Sequence, residues 1–231
     1  DKTLKDAEGN DALWYAKNPG GEVSKEGAAA CVKLLAGSTK KPAAQDAGAF
    51  SAADLKRMST FVSNFVEVRF PDFDMQKGEA PPNSALIRFG IGHNLINNRE
   101  SRIKFCPQES CTHGSWNIDA KFVAESVKKY FDLDVQHRSV SGDDGRSRFH
   151  FDGKSYHFEV SDFDSGGDAM PSHATVKRAV RDGDVIRMSG DIYYESVEEE
   201  KPYIAAAFVV TAKPHTWNGK KTWAILSLKR E

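Results

Sequence analysis

Imidazoles and thiols are the side chains best able to move protons or hold a metal near neutral pH. Seven histidines and three cysteines occur in these 231 residues. His150 and His157 flank Asp152-Gly153 inside the alternating run 148–158. Asp-Gly between alternating residues is the strongest short hairpin signal, because a type I′ turn needs positive φ at both central positions. A two-residue loop at Asp152-Gly153 pairs Phe151 with Lys154 and Phe149 with Tyr156. Phe149, Phe151, Tyr156 and Phe158 then share one face, and Arg148, His150, Ser155, His157 and Glu159 the other. In that register His150 pairs with Ser155 and Arg148 with His157. The imidazoles lie on a cross-strand diagonal about 7 Å apart, within reach of a shared metal or anion. A polar face of this kind is also what an antiparallel sheet turns to water.

Three further clusters offer chemistry. His93 stands among Asn94, Asn97 and Asn98. Such amides and an imidazole either line a ligand pocket or satisfy backbone carbonyls at a helix end. Asp162, Asp164 and Asp168 surround Gly166-Gly167 and present hard oxygen ligands suited to calcium. The loop departs from an EF-hand, with Gly166 at position five and His173 at position twelve, and an Asx-rich solvated loop is the alternative. Cys106 and Cys111 close a small disulfide ring in an oxidising compartment, bind zinc with His113, or remain thiols. A zinc site would lack a nearby fourth ligand. G-x-S-x-G, H-E-x-x-H and a P-loop are all absent from the sequence, and no motif points to a cofactor.

The elements that must position these residues follow from periodicity. Residues 50–70 form the best helix, with Ser51 as cap, Asp54 closing a variant of the capping box, and Pro71 as the stop. Leu55, Met58, Phe61, Val62 and Phe65 make its apolar stripe; Lys56, Arg57, Ser59, Ser63 and Asn64 lie opposite. Residues 83–98 predict a second helix with two adjacent apolar faces, Leu86/Phe89/Ile96 and Ile87/Ile91/Leu95, weakened by Gly90 and Gly92. Residues 119–131 predict a third, with Asp119 as cap and Ile118 and Val123 at the staple positions.

From 147 to 229 the pattern becomes a series of ribbons. After the 148–158 hairpin, residues 174–181 turn at Asp182-Gly183 into 184–189. Gly190 marks a bulge or bend before 191–197. Residues 203–213 predict a central strand, and Asn218-Gly219 turns it into 222–229. The fold class expected is α+β: a helical N-terminal hairpin, then helices packed on one face of an antiparallel β-meander of about five or six strands. The layout is similar to cystatin-like and NTF2-like folds and to α+β domains of bacterial envelope proteins, a likeness of arrangement that carries no function.

At the N-terminus, residues 6–16 (DAEGNDALWYA) and 31–37 (CVKLLAG) resemble one ankyrin repeat, with its opening turn, first helix and V-x-x-L-L ending before glycine. Asp11-Ala12 stand where the family has Thr-Pro, and Trp14 where it has His. The resemblance implies contact with another protein rather than catalysis. A lone repeat cannot bury its own apolar faces, and a generic helical hairpin is the alternative. The domains expected are the ankyrin-like hairpin 1–37, a linker 38–49 and an α+β domain 50–231.

A net charge of -1 gives no electrostatic reason to expect nucleic acid, and no apolar run reaches the ~20 residues that span a bilayer. The chain opens at Asp1 without Met, which leaves a removed signal peptide or a trimmed start open. The function expected is a non-catalytic protein-interaction or ligand-binding protein of the bacterial envelope, periplasmic or secreted, with any ligand between sheet and helices. A cytoplasmic location is the alternative. A hydrolase using His93 or the His150/His157 pair, and a structural module of a larger assembly, are the rival functions.

Overall fold

The computed structural model describes residues 50–106, 111–142, 147–163, 169–196 and 201–231. The chain divides into units Asp1–Gly48 and Ala49–Glu231, and all described residues belong to the second. The ankyrin-like segment and its linker, with Asp164 and Asp168, lie outside them.

Helix α1 (Ala52–Glu67) begins as its sequence requires. Ser51 Oγ accepts from the Asp54 amide at 3.1 Å, and the Asp54 carboxylate accepts from the Ser51 amide at 3.2 Å. The helix ends in a Schellman turn. The Phe70 amide reaches the Phe65 carbonyl and the Arg69 amide the Val66 carbonyl, each at 2.9 Å. Arg69 takes the left-handed position, φ 51°, that glycine usually fills. The Phe70 ring packs edge-on against Phe65, the hydrophobic contact that accompanies this motif.

Next come β1 (Phe73–Asp74), α2 (Asn83–Asn97), the single turn α3 (Arg99–Arg102), β2 (Ile103–Phe105), β3 (Trp116–Asp119) and α4 (Ala120–Phe131). The two apolar faces of α2 serve two cores. Leu86 and Phe89 join Phe65, Val127, Phe131, Phe208 and Ile225 in the first. Ile87 and Ile91 join Ile118, Val123, Phe149, Tyr156 and Phe158 in the second. Ile96, expected on the inner side, is instead 51% exposed, because the last turn of α2 runs past the first core. Gly90 is where α4 crosses: a Cβ there would stand 2.6 Å from Val123 Cγ1 and 2.9 Å from the Val123 carbonyl oxygen. A residue read as a weakness of the helix is what permits the close approach.

The remaining strands are β4 (Val140–Ser141), β5 (Ser147–Phe151), β6 (Ser155–Phe158), β7 (Ala169–Asp182), β8 (Val185–Ser196), β9 (Tyr203–Trp217) and β10 (Lys220–Arg230). The chain is α+β with an antiparallel meander, β7 to β10, and β1 at one edge, in the order β1-β10-β9-β8-β7. The 148–158 hairpin, expected as the first ribbon of that meander, belongs to a second antiparallel sheet, β2-β3-β6-β5-β4. Its apolar face covers the Ile87/Ile91 side of α2, which the large sheet leaves open. Among the described residues, no helix is long and apolar enough to cross a membrane.

Turn chemistry sets the registers. Asn218 and Gly219, φ 47° and 73°, form a two-residue loop between Trp217 and Lys220, as the sequence predicts. At Asp152-Gly153 the loop is one residue later. Phe151 lies opposite Tyr156 and His150 opposite His157, because the Asp152 carboxylate accepts from the amides of Lys154 and Ser155 at 2.8 and 2.7 Å. Aspartate flanks that turn rather than entering it. The register moves by two residues, so the apolar and polar faces stay as read. Asp182 likewise pairs with Val185, leaving Gly183-Asp184 as the loop. Gly190 sits opposite a bulge on β7, where Lys177 is the extra residue between Val176 and Arg178, and a Cβ there would collide with the Thr175 carbonyl.

The outer edge of β7 is covered by α1. Ser63 Oγ accepts from the Ala174 amide and Ser59 Oγ from the Val176 amide, both at 2.9 Å.

Candidate functional site

The structure describes all the sequence-predicted site residues except Asp164 and Asp168. His150 and His157 stand directly opposite one another, not on a diagonal, because of the shifted turn. His157 Nε2 lies 2.8 Å from Asp152 Oδ2, and this hydrogen bond is the main reason the Asp152 carboxyl falls to about 2. The His150 ring stacks on His113 with centroids 3.7 Å apart and planes 18° apart. Partial desolvation lowers the His150 pKa, and the neighbouring imidazoles lower it further. Among the described residues, no group of three His, Cys, Asp or Glu side chains is arranged to hold a metal. Arg148 is exposed on the same ribbon.

His93 is 5% exposed and fully packed. Its ring lies parallel to Phe89 and edge-on to Tyr130, 4.8 Å between the latter pair's centroids. The Asn97 amide donates to His93 Nδ1 and to the His93 carbonyl, each at 3.2 Å. Burial, then the charges of Lys129 and Arg102, push the imidazole down to about 3, so it is neutral. Asn94 has no exposed surface. Its amide nitrogen reaches the Gly90 carbonyl at 2.7 Å, Ser126 Oγ at 2.9 Å and the Phe122 carbonyl at 3.1 Å. Its Oδ1 accepts from Arg102 at 3.1 Å. Asn94 thus pins α2 to α4, and His93, Asn94 and Asn97 are absent from the lining of the clefts described below.

Cys106 and Cys111 are joined as a disulfide, Cα atoms 6.4 Å apart. Both sulfurs are thereby used, which removes the zinc site with His113 and the free-thiol alternative. The Asp162 carboxylate accepts from the Glu159 amide at 2.7 Å, capping the 3-10 turn Val160–Phe163, and burial raises its pKa. Its expected partners Asp164 and Asp168 lie outside the described residues.

A different place gathers chemistry. A cleft of about 550 Å³ opens where the start of α1 meets the far end of the β9–β10 hairpin. From α1 come Asp54 and Arg57, with Phe50 just before it; β7 supplies Arg181. His215 and Thr216 of β9 and Lys221, Thr222 and Trp223 of β10 complete the wall. The Arg57 guanidinium lies over the Trp223 ring, 5.4 Å from its centroid, with Nη2 donating to the Lys221 carbonyl at 3.4 Å. Arg181 lies over Phe50 at 5.9 Å. Asp54 is the one carboxylate among the lining residues, and its acceptance from Ser51 holds it below the usual carboxylate range and in the helix cap. Arg57, Arg181 and Lys221 therefore share the cleft with one carboxylate, Asp54, which also lies 4.0 Å from Arg57. The Nε2 atom of His215 is shielded from solvent and has no hydrogen-bond partner.

Sharing Arg57, Lys221, Thr222 and Trp223, the cleft continues into a shallower hollow of about 270 Å³ with Thr60, Asn64, Lys129 and Tyr130. Burial lowers the Lys129 pKa, helped by Arg102 and Lys220, and raises Tyr130 to about 12. Lys129 Nζ donates to Tyr130 Oη at 3.1 Å.

In the sequence Arg57 belongs to the solvent face of its helix, and nothing local marks Arg181, His215 or Trp223. These residues share no motif and span more than half the chain. Paired basic and aromatic residues in 214–223 were the available signal. Comparison with protein-family models, with curated proteins and with solved structures found no match.

Proposed function

We propose that this chain is a non-catalytic ligand-binding protein of the bacterial envelope, and that its ligand is anionic and occupies the cleft between α1 and the β9–β10 hairpin. The observation that carries this reading is two guanidiniums in one cleft, each laid over an aromatic face, beside Lys221. Arginine backed by an aromatic ring is held in one orientation, so less freedom is lost when its N–H fork meets an anion. The volume is that of a small-molecule site.

Binding is favoured over a hydrolase built on His93 or the His150/His157 pair by the state of those histidines. His93 is neutral and packed on all sides, while His150 and His157 lie on a ribbon of the small sheet rather than in this cleft. The envelope location rests on the Cys106–Cys111 bond, since such bonds persist in oxidising compartments. A partner protein on the ankyrin-like segment would be a separate contact.

Thermal-shift measurements with a panel of anionic and neutral sugars and nucleotides test the proposal. Anionic compounds raise the melting temperature of the wild type, because ligand that binds only the native state stabilises it. The Arg57→Ala/Arg181→Ala variant loses that rise. A panel with no effect, or a double variant that responds as the wild type does, refutes the reading.

A further inference from the structure

We infer that the stacked imidazoles of His113 and His150 form an acid-released latch: near neutral pH they fasten the segment Cys111–His113 to the small sheet, and the fastening opens once both rings carry a proton. The inference is independent of the cleft and its ligand.

The two rings come from different parts of the chain. His113 lies between the disulfide and β3, and His150 lies on β5. Their centroids stand 3.7 Å apart with planes 18° from parallel, so the rings touch face to face. The residues that follow are held by other means. The Ser115 amide and hydroxyl both donate to Glu159 Oε1, at 2.7 and 2.8 Å, and the Ser115 carbonyl accepts from the Cys106 amide at 2.8 Å. Ahead of them, the His113 ring joins the segment to β5.

A neutral pair stacks, and a single proton still leaves a cation over an aromatic face. A second proton brings two like charges into contact, where their repulsion is greatest. Other charges surround the pair. The His157 ring, directly opposite His150, has its centroid 6.3 Å away. Asn117 and Lys104 continue that row across the sheet, and Arg148 shares the face. The carboxylates there are engaged: Asp152 with His157, Glu159 with Ser115, and Asp119 with Ser155 and Lys121. Desolvation, then the charges of His113 and His157, lower the His150 pKa, with Asp152 pulling the other way. The closed latch therefore refuses a proton that the open one accepts. It is fully closed above the ordinary 6.5 and is drawn open as pH falls below it.

Nuclear magnetic resonance of the full chain, with labelled histidine and phenylalanine, tests the latch. The ring-to-ring Overhauser contact between His113 and His150 weakens between pH 7.5 and 5, as the closed-to-open ratio falls by up to about tenfold per pH unit. Added salt screens the repulsion and moves the opening to lower pH. His150→Phe keeps an aromatic ring that cannot charge, so its contact with His113 survives at pH 5. In His113→Phe, His150 titrates at a higher pH than in the wild type. His157→Gln, whose amide still reaches Asp152, opens as the wild type does. A wild-type contact at full strength at pH 5, its loss at pH 5 in His150→Phe, or a His150 midpoint unmoved by His113→Phe overturns the inference. If His157→Gln stays closed at pH 5, the release belongs to the His157–Asp152 pair and the inference falls. Should a phenylalanine variant fail to fold, the wild-type contact and its salt dependence still decide.

Discussion

His93 and His157 carry the same ring into opposite environments. His157 meets the Asp152 carboxylate at a turn, whereas His93 is enclosed between Phe89 and Tyr130. The folded pKa of His93, about 3, lies below the ordinary 6.5. Between those values the unfolded chain takes up a proton that the folded chain refuses. The contribution of His93 to stability is therefore complete above pH 6.5 and is lost as pH falls toward 3, at about 1.4 kcal/mol per pH unit. Urea unfolding at pH 7.5, 6 and 5 should show this slope in the wild type and a flatter one in His93→Phe. Equal slopes would mean that His93 is protonated in the folded protein. Sequence located this residue in a polar cluster, but amide and imidazole side chains look alike whether they face a ligand or a carbonyl. The neighbour that decides, the Tyr130 ring, comes from another helix.

Elements were more legible than residues, and the reason is local. Ser51 and Asp54 are three residues apart and cap the helix they begin; Asn218-Gly219 needs nothing beyond itself to turn. Asp152-Gly153 was placed one residue early because aspartate has two ways to favour a turn: by entering the left-handed region, or by accepting from the amides that follow. Only the second is used here. The role of Ser59 and Ser63 was invisible for a different cause. They were read as the solvent face of α1, yet their hydroxyls serve as the missing neighbour of edge strand β7. Ser59→Ala and Ser63→Ala should each cost about 1–3 kcal/mol in urea unfolding, since each strands a backbone N–H. Ser63→Thr, which keeps the hydroxyl, should cost less than Ser63→Ala. Losses within experimental error in both alanine variants would show that water replaces the serines.

For the whole molecule, the disulfide and the division into two cores set stability. Replacing Cys106 and Cys111 by serine removes a ring with a sequence separation of 5. The chain-entropy model assigns so short a ring about 2 kcal/mol. The double-serine variant should be less stable by about that amount in urea unfolding, and dithiothreitol should lower the wild type to match it. A wild type insensitive to reductant would argue against the bond. The α+β class was readable because helical and strand periods occupy separate stretches. The division of strands between two sheets was not, because alternation shows that a ribbon has an apolar side without showing what covers it. The cleft was hidden more deeply still, as Arg57 and Trp223 meet across 166 positions of sequence.

Helix α2 gives one flank to each core, and α4 gives its first turn, with Ala120 and Val123, to the small sheet's core and its later turns, with Val127, Tyr130 and Phe131, to the large sheet's. Peeling away either layer would leave the same two helices half undressed, with oily rings such as Phe89 or Ile91 facing water. The large sheet has α1 as well, whose buried apolar residues lie in the first core, whereas the small sheet relies on the shared pair. Damage to the Gly90 crossing therefore propagates in both directions, and the small disulfide-bearing layer, remote from the cationic cleft, still shares in holding its walls in place.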